Sequence, residues 1–527
     1  MSWRKSPHDT SKHGELPAES DIAYKHKIVG VVTLATISAI FLLAVALVVA
    51  SCFTFPQFVD DPDSPSSSVT RSVGATRLQS ICPIRLSLPD STKYGDSQYQ
   101  ESEGDLQSFA RYGAFGDVYK AGVHNIRDNN DETESLLSKA EDSETSSLIS
   151  NSSVDHDAQA LEGRLSKVVS GTGIAASMAS WATNGDIRGL SATTCSTPLM
   201  KQAFLIPETG AGISLRLEAF NSTSKPTVIR VRAWSSKNGS NPLALSTGSA
   251  FTVPARSHAS FDISAAAPKS SGLYVQTESE QAPVAAFVKV VHMSGLSIKG
   301  VDIIRALSPK SNSTVLSGIN EGDQTKLYVW PSKDGNATIS WINVSGTQKV
   351  KDISLKSHNL QVIDLGTVPE KTHAISIEGV PTVAMMSVSR DGKDGQSDVA
   401  FVEASRAQGS SAIVSPVSAS ETTLYFASTS DNDSSVFLQS FGKTGLLTGS
   451  ERIVIPAHRV VSIPAENISN DAVMFTVKTQ NNISFSARIR KDEVDKAGLA
   501  GISWLASQSL EPQQMQVYVS NNNHIVH

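Results

Sequence analysis

ISLRLEAF (213–220), KLYVWPS (326–332) and TLYFAST (423–429) open three segments that can be laid over one another. Each alternates apolar and polar residues, the period of a strand with one buried face. A second strand-like run follows in each: TVIRVRAW (227–234), ATISWINV (337–344) and SVFLQSF (435–441). Next come a strand, a tight turn and a returning strand: FTVPARSHASFDI (251–263), ISLKSHNLQVIDL (353–365) and IVIPAHRVVSIPA (453–465). GLYVQTES, HAISIEG and AVMFTVKT follow, then APVAAFVKVV, PTVAMMSVSR and ISFSARIR. A closing segment completes each unit: VDIIRALSP from Val301, DVAFVEASR from Asp398 and GISWLASQSLEP from Gly501. The period is about 100 residues, too long for a single propeller blade.

Seven or so short strands in about 100 residues predict an all-β chain of tandem immunoglobulin-like sandwiches. A closed ring, or propeller-like arrangement of the repeats, is the alternative. The repeats fall at 201–309, 310–410 and 411–527. Residues 76–200 read as a divergent partial unit, because GIAASMASWATNGDIRGLSATTCSTP (173–198) aligns loosely with 286–309 and TRLQSICPIRLSL (76–88) supplies an early strand. Inside it, residues 90–165 read as an acidic, solvated insertion: residues 128–162 hold ten acids against Lys139 alone.

Upstream, residues 28–55 contain no charge, and at about 1.5 Å per residue they reach roughly 42 Å as a helix, beyond the roughly 30 Å of a hydrocarbon core. Residues 1–27 carry Arg4, Lys5, Lys12, Lys25 and Lys27, whereas residues 56–75 carry Asp60, Asp61, Asp63 and the single base Arg71. The positive-inside bias predicts a cytoplasmic tail (1–27), a transmembrane helix (28–55), a Pro/Ser-rich flexible stalk (56–75) and an extracellular remainder. Val49, Ala50, Ser51 and Cys52 also fit a lipobox, with lipid attached to Cys52, and Ala44 and Ala46 offer a cleavage site for full secretion. All three readings leave the same repeats outside the membrane.

Outside that run the chain has two cysteines, Cys82 and Cys195. An oxidising compartment makes a disulfide between them the expected state, with two separate buried thiols as the alternative. The net charge of −6 gives no electrostatic footprint for nucleic acid.

The sequence nominates no catalytic, metal or cofactor-binding residue. It lacks a G-x-S-x-G elbow, a P-loop, a G-x-G-x-x-G run and an H-E-x-x-H pair. His258, His358 and His458 stand 100 residues apart, but aligning the turns matches His358 and His458 with Arg256 rather than His258. Asp391, Asp394 and Asp398, and Asp431 with Asp433, invite a calcium loop, yet read more simply as acidic turns. Trp234, Trp330, Trp341 and Trp504 would stack on sugars if exposed; their strand context predicts core packing instead. Nine N-x-S/T sequons read as accidents of an Asn-, Ser- and Thr-rich composition.

Cys82-Pro83, the later Cys195, Ser196, Thr197 and Pro198, the Val253-Pro254-Ala255 and Ile455-Pro456-Ala457 turns and Trp504-Leu505 together resemble an uncharacterised family of actinobacterial cell-envelope proteins, a domain of unknown function. Leu355, Lys356 and Ser357 depart from the proline turn in the middle repeat. The resemblance implies envelope location and actinobacterial origin, not a reaction. The expected function is a non-enzymatic, membrane-anchored binding or scaffold protein whose partner is a cell-wall polymer or a membrane protein. The alternative is an accessory subunit of a membrane-bound polysaccharide assembly or export complex, and a third reading is a wall-polymer hydrolase.

Overall fold

The repeat period closes on itself as a propeller-like ring of four units. A computed structural model describes residues 69–88, 102–128, 135–138, 146–295, 297–308 and 311–519. Ser72–Met515 make up the ring, and Val69–Gly74 and Gln514–Val519 form a two-stranded sheet of their own. Residues 1–68, with the proposed tail, helix, Cys52 and most of the stalk, lie outside the described residues. Among those described, no helix is long and apolar enough to cross a membrane.

Unit two shows the plan. One antiparallel sheet holds Lys201–Ile206, Leu273–Ser279, Thr227–Ser235 and Ala250–Val253 in that spatial order. The other holds Ser257–Asp262, Ile213–Asn221, Ala285–Ser294 and Ser297–Arg305. The first strand pairs with the sixth, not with the second as in an immunoglobulin sheet. The tandem immunoglobulin reading therefore yields to the ring. In units three and four one bent strand, Thr372–Asp391 or Ala472–Arg490, serves both sheets and fuses them.

Burial explains why a ring forms. A lone sandwich leaves one face of each sheet wet, so its strands alternate. Thr227–Ser235 keeps a largely alternating pattern. Gly173–Ala182, Gly189–Thr194 and Ser503–Ala506 are instead buried almost throughout, on both faces. The second face meets the neighbouring unit. One core cluster joins Ile81 and Leu161 of unit one to Phe220 and Phe287 of unit two. The next joins Leu217 and Val275 to Tyr328 and Trp330 of unit three. Leu327 and Ile339 then pack with Ile502 and Trp504 of unit four, whose Leu424 and Phe485 pack with Ala179 and Leu190 of unit one. Each of the Leu, Ile, Val and Phe side chains among these contributes about 1.5–3 kcal/mol of burial, summed around a circle without an end.

Unit one carries the same eight strand positions as unit two. Gln107–Phe115, Val118–Asn125, Leu148–Ser153 and Gln159–Leu165 all fall within the stretch that reads as an insertion. Six of its ten acids lie in 131–134 and 141–144, outside the described residues, and of the other four only Glu162 stands in a strand. Cys82 and Cys195 are disulfide-bonded. The bond ties the first strand of unit one to the end of its inner strand, beside the Ile81–Ser196 bridge. The last turn of the ring is closed without a covalent bond. Gln508 and Ser509 pair with Ala412 and Ser411 of unit four, while the Gln508 amide exchanges hydrogen bonds of 2.9 and 3.4 Å with the backbone of Ala176 in unit one. Leu510 lies buried against Phe115 and Ala175.

Candidate functional site at the ring axis

Four inner strands surround the axis: Gly189–Thr194, Ser297–Arg305, Ser397–Glu403 and Ser503–Ala506. Aligned on their closing segments, Gly189, Gly300, Asp398 and Gly501 are equivalent. Three units thus present a glycine where the third presents a carboxylate. Asp398 is fully buried and accepts one backbone N–H from each inner strand. Its Oδ2 takes Leu190 N (3.0 Å) and Ile502 N (3.3 Å), and its Oδ1 takes Val301 N (3.2 Å) and Val399 N (2.9 Å). The glycines are required by space: a Cβ on Gly189 would stand 2.9 Å from Asp398 Oδ2. Burial pushes the Asp398 carboxyl well above the usual range, with the four N–H donors pulling the other way.

One level along, Asp302 Oδ2 accepts Phe401 N (2.8 Å) and Oδ1 accepts the Ser191 hydroxyl (3.2 Å). Burial raises this carboxyl to about 7, and its hydrogen bonds oppose the rise. At the C-terminal ends of the strands the equivalent residues are Thr194, Arg305, Glu403 and Ala506. Arg305 donates Nε to Glu403 Oε1, and both are largely buried, with side chains 17% and 6% exposed. Burial raises the Glu403 carboxyl, and Arg305 pulls it back. The two terminal nitrogens of Arg305 have no protein partner among the described residues.

Past this pair the four strands open into a pit of about 430 Å³. Part of its wall is the residues that follow each inner strand, among them Ser196, Ser308, Ser405 and Gln508; the rest includes Gln79 and Ile174 of unit one and the Glu511 carboxylate. Arg305 lines its floor. The pit therefore offers hydroxyls, amides, one guanidinium, one carboxylate and a few apolar side chains, within the usual size range of a small-molecule site. Such a set can hydrogen-bond the hydroxyls of a polar ligand, and Arg305 can add a charge-assisted bond to a negative group. A second, lateral cleft of about 460 Å³ lies between units two and three, lined by His292, Lys299, Lys326 and Tyr328. Burial lowers the His292 imidazole, and Lys299 and Lys326 act in the same direction.

The residues singled out in the sequence go elsewhere. Arg256, His358 and His458 occupy one equivalent turn, with φ of 47°, 55° and 53°. His458 Nε2 lies 2.8 Å from Asp431 Oδ1, while Asp433 Oδ1 accepts Ala457 N at 2.9 Å, so these acids secure the turn locally. Asp391 and Asp394 lie on the surface, and Asp398 leaves them for the axis. Among the described residues, no three of His, Cys, Asp or Glu are grouped to hold a metal. Trp330, Trp341 and Trp504 are buried, and Trp504 donates its indole N–H to Ser317 O at 2.8 Å. Trp234 packs on Tyr274 and Trp330, whose rings stack at 4.1 Å. Reading the inner strands as one column would have exposed the axis: Gly, Gly, Asp, Gly at one level and Thr, Arg, Glu, Ala at another.

No curated protein matches the chain. The model of a family of unknown function, DUF5719, matches residues 149–466, more than half of the sequence and part or all of every unit of the ring. The chain is a member of the DUF5719 family.

Proposed function

We propose that this chain is a single-pass, membrane-anchored binding protein of the cell envelope, with its N-terminus cytoplasmic and its ring outside. In this reading the ring holds a segment of wall polymer in the axial pit and catalyses no reaction. The observation that carries it is the convergence of four closing segments, rich in hydroxyls and amides, on one mouth floored by the Arg305 guanidinium. Wall polymers combine many hydroxyls with scattered carboxylate or phosphate groups, which suits such a lining. The uncharged run at 28–55, its flanking charges and the Cys82–Cys195 disulfide support an extracytoplasmic setting.

Cosedimentation of the full-length protein in detergent with purified wall material from its host tests the reading. Saturable binding that survives moderate salt is expected, and Ser308→Trp, which fills the pit, should abolish it. Absence of binding by the unmodified protein would overturn it in favour of an accessory subunit of an envelope-assembly complex. Crosslinking in intact membranes would then identify the partner.

A further inference from the structure

Arg111 lies in the strand Gln107–Phe115 of unit one and is 5% exposed. Its Nε donates to Asn151 Oδ1 (3.0 Å) and its Nη1 to Ser415 O (2.8 Å). Both acceptors are neutral. No carboxylate among the described residues pairs with it at salt-bridge distance; Asp471 acts on it only from farther away. Other buried cations of the ring do have anionic partners: Lys289 meets Glu218 at 2.8 Å, and Arg488 meets Asp323 at 2.6 Å. A guanidinium stripped of water and given only neutral acceptors retains a desolvation cost of several kcal/mol. Burial pulls its ionisation down to about 10, which still leaves it charged at neutral pH.

Arg111 also lines a pocket of about 360 Å³ where unit one meets unit four. Lys443 lines the same pocket with a 68% exposed side chain whose Nζ stands 3.9 Å from Asp471 Oδ1, and Thr423 and Asn470 line it too. Of the acids there, Glu421 is already matched by Arg490 at 3.1 Å, and Glu466 is exposed. We propose that this pocket is an oxyanion-binding site, separate from the axial pit, in which Arg111 holds the carboxylate or phosphate of a polar ligand and Lys443 steers it inward. The planar guanidinium, held through Nε by Asn151 and through Nη1 by Ser415, leaves Nη2 for the anion.

Isothermal titration of the full-length protein in detergent, with inorganic phosphate and separately with glucuronate, tests this at ionic strength held constant with chloride. Saturable binding of at least one is expected. Lys443→Glu, at an exposed position that leaves the fold intact, should weaken it about three- to tenfold. Arg111→Lys keeps the charge but loses the planar guanidinium that Asn151 and Ser415 hold in place, and should weaken it further. Binding of phosphate alone or glucuronate alone would assign the site to that anion. No saturable heat with either anion, or binding that both variants leave unchanged, would overturn the proposal. Should Arg111→Lys fail to fold, Lys443→Glu alone decides it.

Discussion

The two ends of the ring axis are made by the same four strands, yet they treat their ionisable groups in opposite ways. At one end Asp398 is saturated: each of its oxygens accepts two backbone N–H groups, and every unit donates once. At the other end Arg305 has spare donors, and Glu403 Oε2 is buried without a protein partner beside a void of about 10 Å³, room for no more than one water. The difference separates two jobs. A saturated hub fixes the units in register and has nothing left to offer a ligand. An unsaturated pair under an open pit holds less together and keeps hydrogen-bonding capacity in hand.

The sharpest way to break this contrast is Asp398→Ala. Four buried N–H groups would lose their acceptor at about 1–3 kcal/mol each, so a loss of about 5 kcal/mol or more is expected. Denaturant unfolding followed by tryptophan fluorescence would show it. A midpoint unchanged within error would remove Asp398 from its role as hub. Reducing the Cys82–Cys195 bond, which closes a separation of 113 residues, should cost about 4–5 kcal/mol on the chain-entropy estimate. That loss should fall on unit one and the pit wall, so hydrogen exchange should quicken at Ile81 and Ser196 before Leu190; the reverse order would mean the axis depends on the bond.

The third test uses pH. Asp302 is raised to about 7 in the ring, above its value of about 4 in an unfolded chain. A carboxyl raised on folding contributes stability that is fully present below about pH 4 and is lost as pH climbs through about 7. The total is about 3–4 kcal/mol. His258, His292 and His373 are each lowered by burial and act in the opposite sense, so the comparison must be with Asp302→Asn. Relative to the unmodified protein, that variant should gain stability between pH 5 and pH 8. Parallel profiles would contradict the assignment. The smallest effects are expected from the glycine substitutions Gly300→Ala and Gly248→Ala. Gly300 has φ of +144° and its Cβ would meet Val399, so about 1–3 kcal/mol should be lost. Gly248→Ala, with φ of +96° in open space, should lose less; equal losses would mean that crowding at the axis is unimportant.

The strands themselves were legible in the sequence. Alternation in TVIRVRAW and SVFLQSF, and the recurring turn at Arg256, His358 and His458, register on one another as they do in space. Closure was harder to see because its evidence is compositional. GIAASMASWA packs on both faces with small residues, and a run of Ala and Ser carries almost no periodic signal. Unit one was obscured by the ten acids between 128 and 162, which read as a solvated insertion. The axis was obscured by distance in sequence, since Arg305 and Glu403 stand 98 positions apart. Asp398 was disguised by its neighbours: within DGKDGQSD it resembles a solvated turn, and only the glycines at 189, 300 and 501 reveal it as the exception in a column.

The non-covalent seam between units four and one sets an order of assembly. Residues 508–511 supply Gln508 to Ala176, Leu510 to the core of unit one and Glu511 to Ser170 and Ser410 at 2.5 Å. In a chain synthesised from its N-terminus, these are the last pieces of the ring to appear. Until they arrive, the seam rests on Leu424 and Phe485 packed against Ala179 and Leu190 and on hydrogen bonds such as Arg111 to Ser415. Residues 508–511 therefore act as a latch over a seam already begun, and a chain halted just before them would leave Phe115 and Ala175 without the cover of Leu510.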